Sequence, residues 1–104
     1  MRGDIYRLPE RRNAIGHEQR GVRYAVVLQT DALPLSTLIV APTSTGARSA
    51  SFRPEIDMQG TRTKVMLEQS FAADPQRLGE FAGRLSANEL AEVETALRLV
   101  LGLD

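Results

Sequence analysis

A chain of 104 residues, 42% hydrophobic and 25% charged, is expected to form one small domain spanning residues 1–104. Its 13 basic and 13 acidic side chains cancel, and the lack of cysteine excludes a disulfide framework and a thiolate zinc site. No run reaches the roughly 18 apolar residues of a membrane span, and the opening MRGDIYRLPERR holds no signal-peptide core, so a cytoplasmic location is expected.

Asp4-Ile5-Tyr6-Arg7-Leu8 alternates polar and apolar side chains up to Pro9, the pattern of a half-buried strand. From Pro9 to Gly21 the chain has almost no apolar content and is too long for a tight turn, which predicts a functional loop. Tyr24 to Gln29 and Leu38 to Ala41 are continuous, partly β-branched apolar runs. Both predict strands buried on two faces. Thr43 to Ser49 reads as a loop of small polar residues, and Ser51 to Met58 as a strand interrupted at Pro54. Gln59-Gly60-Thr61 predicts a turn, and Val65-Met66-Leu67 a short buried strand. Asp74-Pro75 suits a single helical turn, and Phe81 and Leu85 belong to a last strand. Ser86 to Glu89 has capping-box spacing, after which Leu90, Val93, Leu97, Val100 and Leu101 recur at helical steps, with Arg98 near the end and Gly102 as the stop. The five aromatic residues, Tyr6, Tyr24, Phe52, Phe71 and Phe81, are assigned to the core. The expected class is therefore mainly β with a C-terminal helix, as a small twisted barrel or two packed sheets.

The zero net charge conceals a polarised chain. Residues 1–24 carry a net charge of +3 and residues 46–64 a further +2, while the segment from Ser86 onward carries −3. Twelve of the 13 basic residues are Arg, whose planar fork suits phosphate or carboxylate. The sequence has no nucleophile elbow, phosphate-binding glycine loop or metal-spaced carboxylate cluster, and His17 is its single histidine. Two polar segments remain: residues 16–23, which lead into the second strand, and residues 42–45, which follow the third. If these strands are antiparallel neighbours, Arg23 and Ser44 share one cleft. Each has a plainer alternative, Arg23 as a salt-bridge partner of Glu18 or Asp4 and Ser44 as a turn residue bonded to its own backbone.

Arg2-Gly3-Asp4-Ile5-Tyr6, the run Gly16-His17-Glu18-Gln19-Arg20-Gly21-Val22-Arg23 entering Ala25 to Gln29, and Ile39-Val40-Ala41-Pro42-Thr43-Ser44 together resemble the MazF/PemK family of toxin endoribonucleases. Leu67-Glu68-Gln69-Ser70, Arg77-Leu78 and the ending Leu101-Gly102-Leu103 extend that resemblance along nearly the whole chain. The resemblance implies an SH3-like small barrel of the CcdB/MazF toxin type, a homodimer, and metal-independent cleavage of single-stranded RNA at short motifs. It requires no cofactor. The implied RNA is mRNA, with rRNA or tRNA as other targets, and the implied protein partner is a cognate antitoxin; neither DNA nor a membrane is an expected partner.

Carried over by position, the family's catalytic Arg falls on Arg23 and its catalytic hydroxyl on Ser44, flanked by Thr43 and Thr45. Glu18 and Gln19 match the pair that orders the loop, and Glu18 and His17 are the candidates for a general base. Two departures stand out: Tyr24 where the family usually has Pro, expected to loosen the strand entrance, and Ser44 where it usually has Thr. Arg11, Arg12, Arg20 and Arg48 are the candidate RNA-binding residues. Two other readings stay open: a non-catalytic RNA- or antitoxin-binding module of the same fold, and a gyrase-poisoning toxin, a class that relies on a Trp this chain lacks.

Overall fold

The computed structural model describes residues 1–9 and 23–104. Its centre is a pair of antiparallel strands, β2 (Arg23–Val27) and β3 (Leu38–Ser44), with β1 (Asp4–Leu8) on the other side of β2. Four further strands follow: β4 (Glu55–Met58), β5 (Thr61–Val65), β6 (Phe71–Ala73) and β7 (Phe81–Arg84). The order is β4-β5-β3-β2-β1-β7, with β6 pairing to the start of β3. Among the described residues, the curled antiparallel sheet and the one α-helix, α1 (Ala87–Leu101), make a half-barrel of the mainly β class with a C-terminal helix that the sequence predicts.

The apolar runs of β2 and β3 are continuous because both sheet faces are covered. Val26 and Ala41 pack with Ile56, Val65, Leu67, Val93 and Ala96 in one cluster beneath α1, whereas Ala25, Val27 and Val40 join Ala73 in a second cluster on the other face. The helix begins and ends as its residues dictate. Ser86 and Glu89 form a reciprocal capping box, and Gly102 closes the helix at φ 69°, a left-handed conformation glycine accepts without a Cβ clash. Asp74 likewise accepts the N–H of Gln76 and starts the short 3₁₀ turn Pro75–Arg77.

Four features differ from the sequence reading. Strand β3 runs on through Pro42 to Ser44, because Thr43 and Ser44 pair with Val65 and Lys64 of β5. Strand β5 begins at Thr61 rather than near Val65, and Leu67–Gln69 is a 3₁₀ turn; Thr63 is buried like an apolar residue, which hides the period-two pattern. Strand β4 starts only after Pro54. Finally, Phe71 and Phe81 are exposed rather than core, and the same holds for Leu101 at the helix end.

Candidate active site

The antiparallel pairing of β2 and β3 aligns Ala25 with Pro42. Continued by two residues, that register sets the start of β2 beside the end of β3, so Arg23 and Ser44 meet at the same sheet end. They do: Arg23, Tyr24, Thr43, Ser44, Thr45 and Gly46 line one cleft of about 450 Å³. The opposite wall is the β4–β5 hairpin, which contributes Met58, Gln59, Thr61 and Thr63. Sequence reading missed this wall. Its signal was the alternation Thr61-Arg62-Thr63 after the turn pair Gln59-Gly60, which turns the threonines inward.

The polar groups are held differently. Thr43 is 2% exposed, and its Oγ1 accepts the backbone N–H of Tyr24 at 3.1 Å, tying the entrance of β2 to the end of β3. A proline following Arg23 would have no N–H to give, so Tyr24 secures the entrance that it was expected to loosen. Ser44 is 3% exposed, and its Oγ accepts the N–H of Ala47 at 3.1 Å, the turn-forming bond of its plainer reading. Thr63, equally buried, donates its hydroxyl to the carbonyl of Thr61.

Three arginines near the sheet are held in ion pairs. Arg53 pairs with Glu68, Arg62 with Glu55 and Arg84 with Asp4, each at 2.7 Å. The Nε of Arg23 is buried and has no hydrogen-bond partner among the described residues. Asp4 is not its partner, because that carboxylate is engaged by Arg84 and the N-terminal ammonium. A buried, unsatisfied guanidinium N–H is costly, and a guanidinium is the side chain best shaped to clamp a phosphate. The lining has no carboxylate among the described residues, and no group of three or more described His, Asp or Glu could hold a metal ion. The described lining thus brings one guanidinium together with several hydroxyls, groups that suit an anion.

Of the remaining candidates, Thr45 lines the cleft and is exposed, while Arg48 is exposed on the loop that follows and does not line it. Arg11, Arg12, His17, Glu18, Gln19 and Arg20 lie outside the described residues.

The family model for the PemK-like, MazF-like toxins of type II toxin-antitoxin systems matches residues 1–101. The chain belongs to this family. Among curated relatives, the Mycobacterium tuberculosis protein Rv3098A is 39% identical over 99% of this chain and 98% of its own length. The endoribonuclease MazF of Staphylococcus epidermidis is 33% identical, covering 99% of this chain and 92% of its own. Among solved structures, the MazE–MazF complex of Deinococcus radiodurans contains a chain that superposes with a TM-score of 0.76 at 27% identity, covering 99% of this chain and 96% of that one. MazF-family homologues thus include endoribonucleases, and MazF occurs in complexes with its antitoxin. Among the described residues no helix is long and apolar enough to cross a membrane.

Proposed function

We propose that this chain is a sequence-specific, metal-independent mRNA interferase that cleaves single-stranded RNA by attack of a 2′-hydroxyl on the adjacent phosphate. The products are a 2′,3′-cyclic phosphate and a 5′-hydroxyl. Such a reaction needs no nucleophile from the protein; it needs proton transfer and stabilisation of the charge that grows on the pentacoordinate phosphorus. Arg23 is the permanently charged clamp for that phosphorus centre, and Ser44 orients a phosphate oxygen beside it. Thr43 and Thr45 support them. A guanidinium stays protonated and is a poor base, so the proton of the 2′-hydroxyl is assigned to Glu18 or His17, with Gln19 ordering their loop. Arg11, Arg12, Arg20 and Arg48 contact the RNA outside the cleft.

The observation that carries this reading is the buried Nε of Arg23, unpartnered among the described residues, in a cleft lined by hydroxyls. A group left unsatisfied in the free protein is available for a ligand oxygen, and the family supplies the RNA context. The chain is proposed to act in the cytoplasm as a homodimer and to be neutralised by a cognate antitoxin. Exposed Leu99, Leu101 and Leu103 at the helix end, with Leu33, Leu35 and Ile39, provide apolar surface for such contacts.

The test is incubation of the purified chain with a long RNA in EDTA, with sequencing of the 5′-hydroxyl ends. Cuts at one repeated motif are expected, and Arg23→Ala is expected to lower the rate by at least about a hundredfold while the variant remains folded by circular dichroism. Retention of RNA without cutting would instead favour the binding-module reading, and undiminished cutting by the variant would remove Arg23 from the mechanism.

A further inference from the structure

Most of the cleft lining suits a phosphate, because a guanidinium donates to its oxygens and a hydroxyl rotates to donate or accept. One described lining residue differs. Gln59 carries a carboxamide, with donor and acceptor side by side in one plane. It occupies the first central position of the two-residue turn between the paired residues Met58 and Thr61.

At φ 54° it is the one non-glycine residue with positive φ among the described residues, and Gly60 follows at 89°. Both values match the tight hairpin turn that suits twisted strands, but that turn ordinarily takes Asn, Asp or Gly at the first position. A residue kept in so unfavourable a backbone conformation is a pointer to function, since such residues cluster at ligand sites. The turn is also braced from below. The N–H of Gly60 donates to Asp57 Oδ1 at 2.8 Å, and the N–H of Asp57 donates to Glu89 Oε2 at 2.9 Å. The amide is thus presented at the rim of the cleft by a hairpin fastened to the helix.

We infer that Gln59 is a base-reading residue, whose carboxamide pairs with the edge of an unstacked adenine while Arg23 and Ser44 hold the neighbouring phosphate. This rests on the RNA-cleavage reading above. Single-stranded RNA is read at bases splayed from the strand, on their Watson–Crick and Hoogsteen edges. Adenine offers a ring-nitrogen acceptor beside an N6 amine donor, and a Gln amide meets both with two parallel hydrogen bonds. No other described lining residue presents that complementary pair on one rigid group.

The experiment uses the full chain, a randomised RNA pool and sequencing of 5′-hydroxyl ends, for the wild type, Gln59→Glu and Gln59→Gly. The wild-type motif is expected to contain adenine at one fixed position. Gln59→Glu keeps an acceptor and loses the donor. It should lower cleavage of adenine-containing sites about tenfold, because a carboxylate oxygen then faces the adenine ring nitrogen, acceptor against acceptor. Gln59→Gly should erase the preference at that position and cut a broader set of sites, with a thermal midpoint equal to or above wild type because glycine takes positive φ freely. A wild-type motif without a fixed adenine, or an identical motif in all three proteins, overturns the assignment of Gln59. A wild-type chain that cuts no RNA overturns both this inference and the RNA-cleavage reading, and is recognised by the absence of ends in every sample.

Discussion

Thr43 Oγ1 joins the strand starting at Arg23 to the strand ending at Ser44, through the N–H of Tyr24. Replacing Thr43 with Val keeps the shape and removes the acceptor, leaving a part-buried N–H without a partner. The expected cost is about 1–3 kcal/mol, which lowers the midpoint of a chain this size by about 4–8 °C per kcal/mol. Thermal unfolding followed by circular dichroism checks this, and Thr43→Ser, which retains the hydroxyl, should recover most of the loss; equal stability of Val and Ser variants would show that the bond contributes nothing. The same scale separates Arg23 from its neighbours. Arg53, Arg62 and Arg84 each have a carboxylate, and Asp4, one alternative partner for Arg23, is already engaged by Arg84. What the sequence showed at position 23 was an arginine at a strand entrance; that Asp4 is taken by Arg84 depended on which residues the fold brought together.

Helix α1 and the β4–β5 hairpin are coupled through one side chain. Glu89 Oε1 accepts the N–H of Ser86 in the capping box, and its Oε2 accepts the N–H of Asp57 in β4. Burial alone would raise the pKa of Glu89, but the backbone N–H groups of Ser86 and Asp57, the Ser86 hydroxyl and the charge of Arg62 outweigh it and hold the carboxyl below its ordinary value of 4.5. A depressed folded-state pKa means that the stabilisation is complete above about pH 4.5 and fades as pH falls through the lower folded value. Glu89→Gln should therefore cost about 1 kcal/mol at pH 7, and the gap to wild type should close towards pH 3. Denaturant unfolding at both pH values measures it, and a gap that persists unchanged at pH 3 would show that the carboxylate charge plays no part. Residual acid sensitivity is expected from Asp4, which is also depressed: burial raises its pKa, and hydrogen bonds from Arg84 and the N-terminal ammonium more than offset this. The helix and its cap were readable from Ser86 to Gly102, because capping and amphipathic spacing are local. Strand β5 was not, because Thr63 reveals its inward direction only against Ile56 across the hairpin.

Across the whole molecule, the neutral total divides into paired and unpaired charge. Among the described residues, Arg2, Arg53, Arg62, Lys64 and Arg84 all pair with acidic side chains, so the second basic segment contributes less free positive charge than its net +2 implies. Arg23, Arg48 and the arginines of residues 11–20 are the side chains proposed for phosphate. Two to five contacts on a single strand give a slope of log affinity against log salt of about −1.4 to −3.5. Fluorescence anisotropy with a 2′-O-methyl RNA, whose blocked nucleophile prevents cutting, should return that range; a slope near −9, as about 13 phosphate contacts would give, would mean that the ion pairs open on binding. By itself the sequence determined the class, the terminal helix, the places of the first three strands along the chain and the family motifs, because periodicity, capping and turn chemistry act between residues close in the chain. Only the tertiary structure decided that the β4–β5 hairpin faces Arg23 and Ser44, that Gln59 stands at the rim, and that the Arg23 Nε finds no partner among the described residues. Those outcomes depend on which distant strands pair and which carboxylates are already taken, and a linear pattern carries neither.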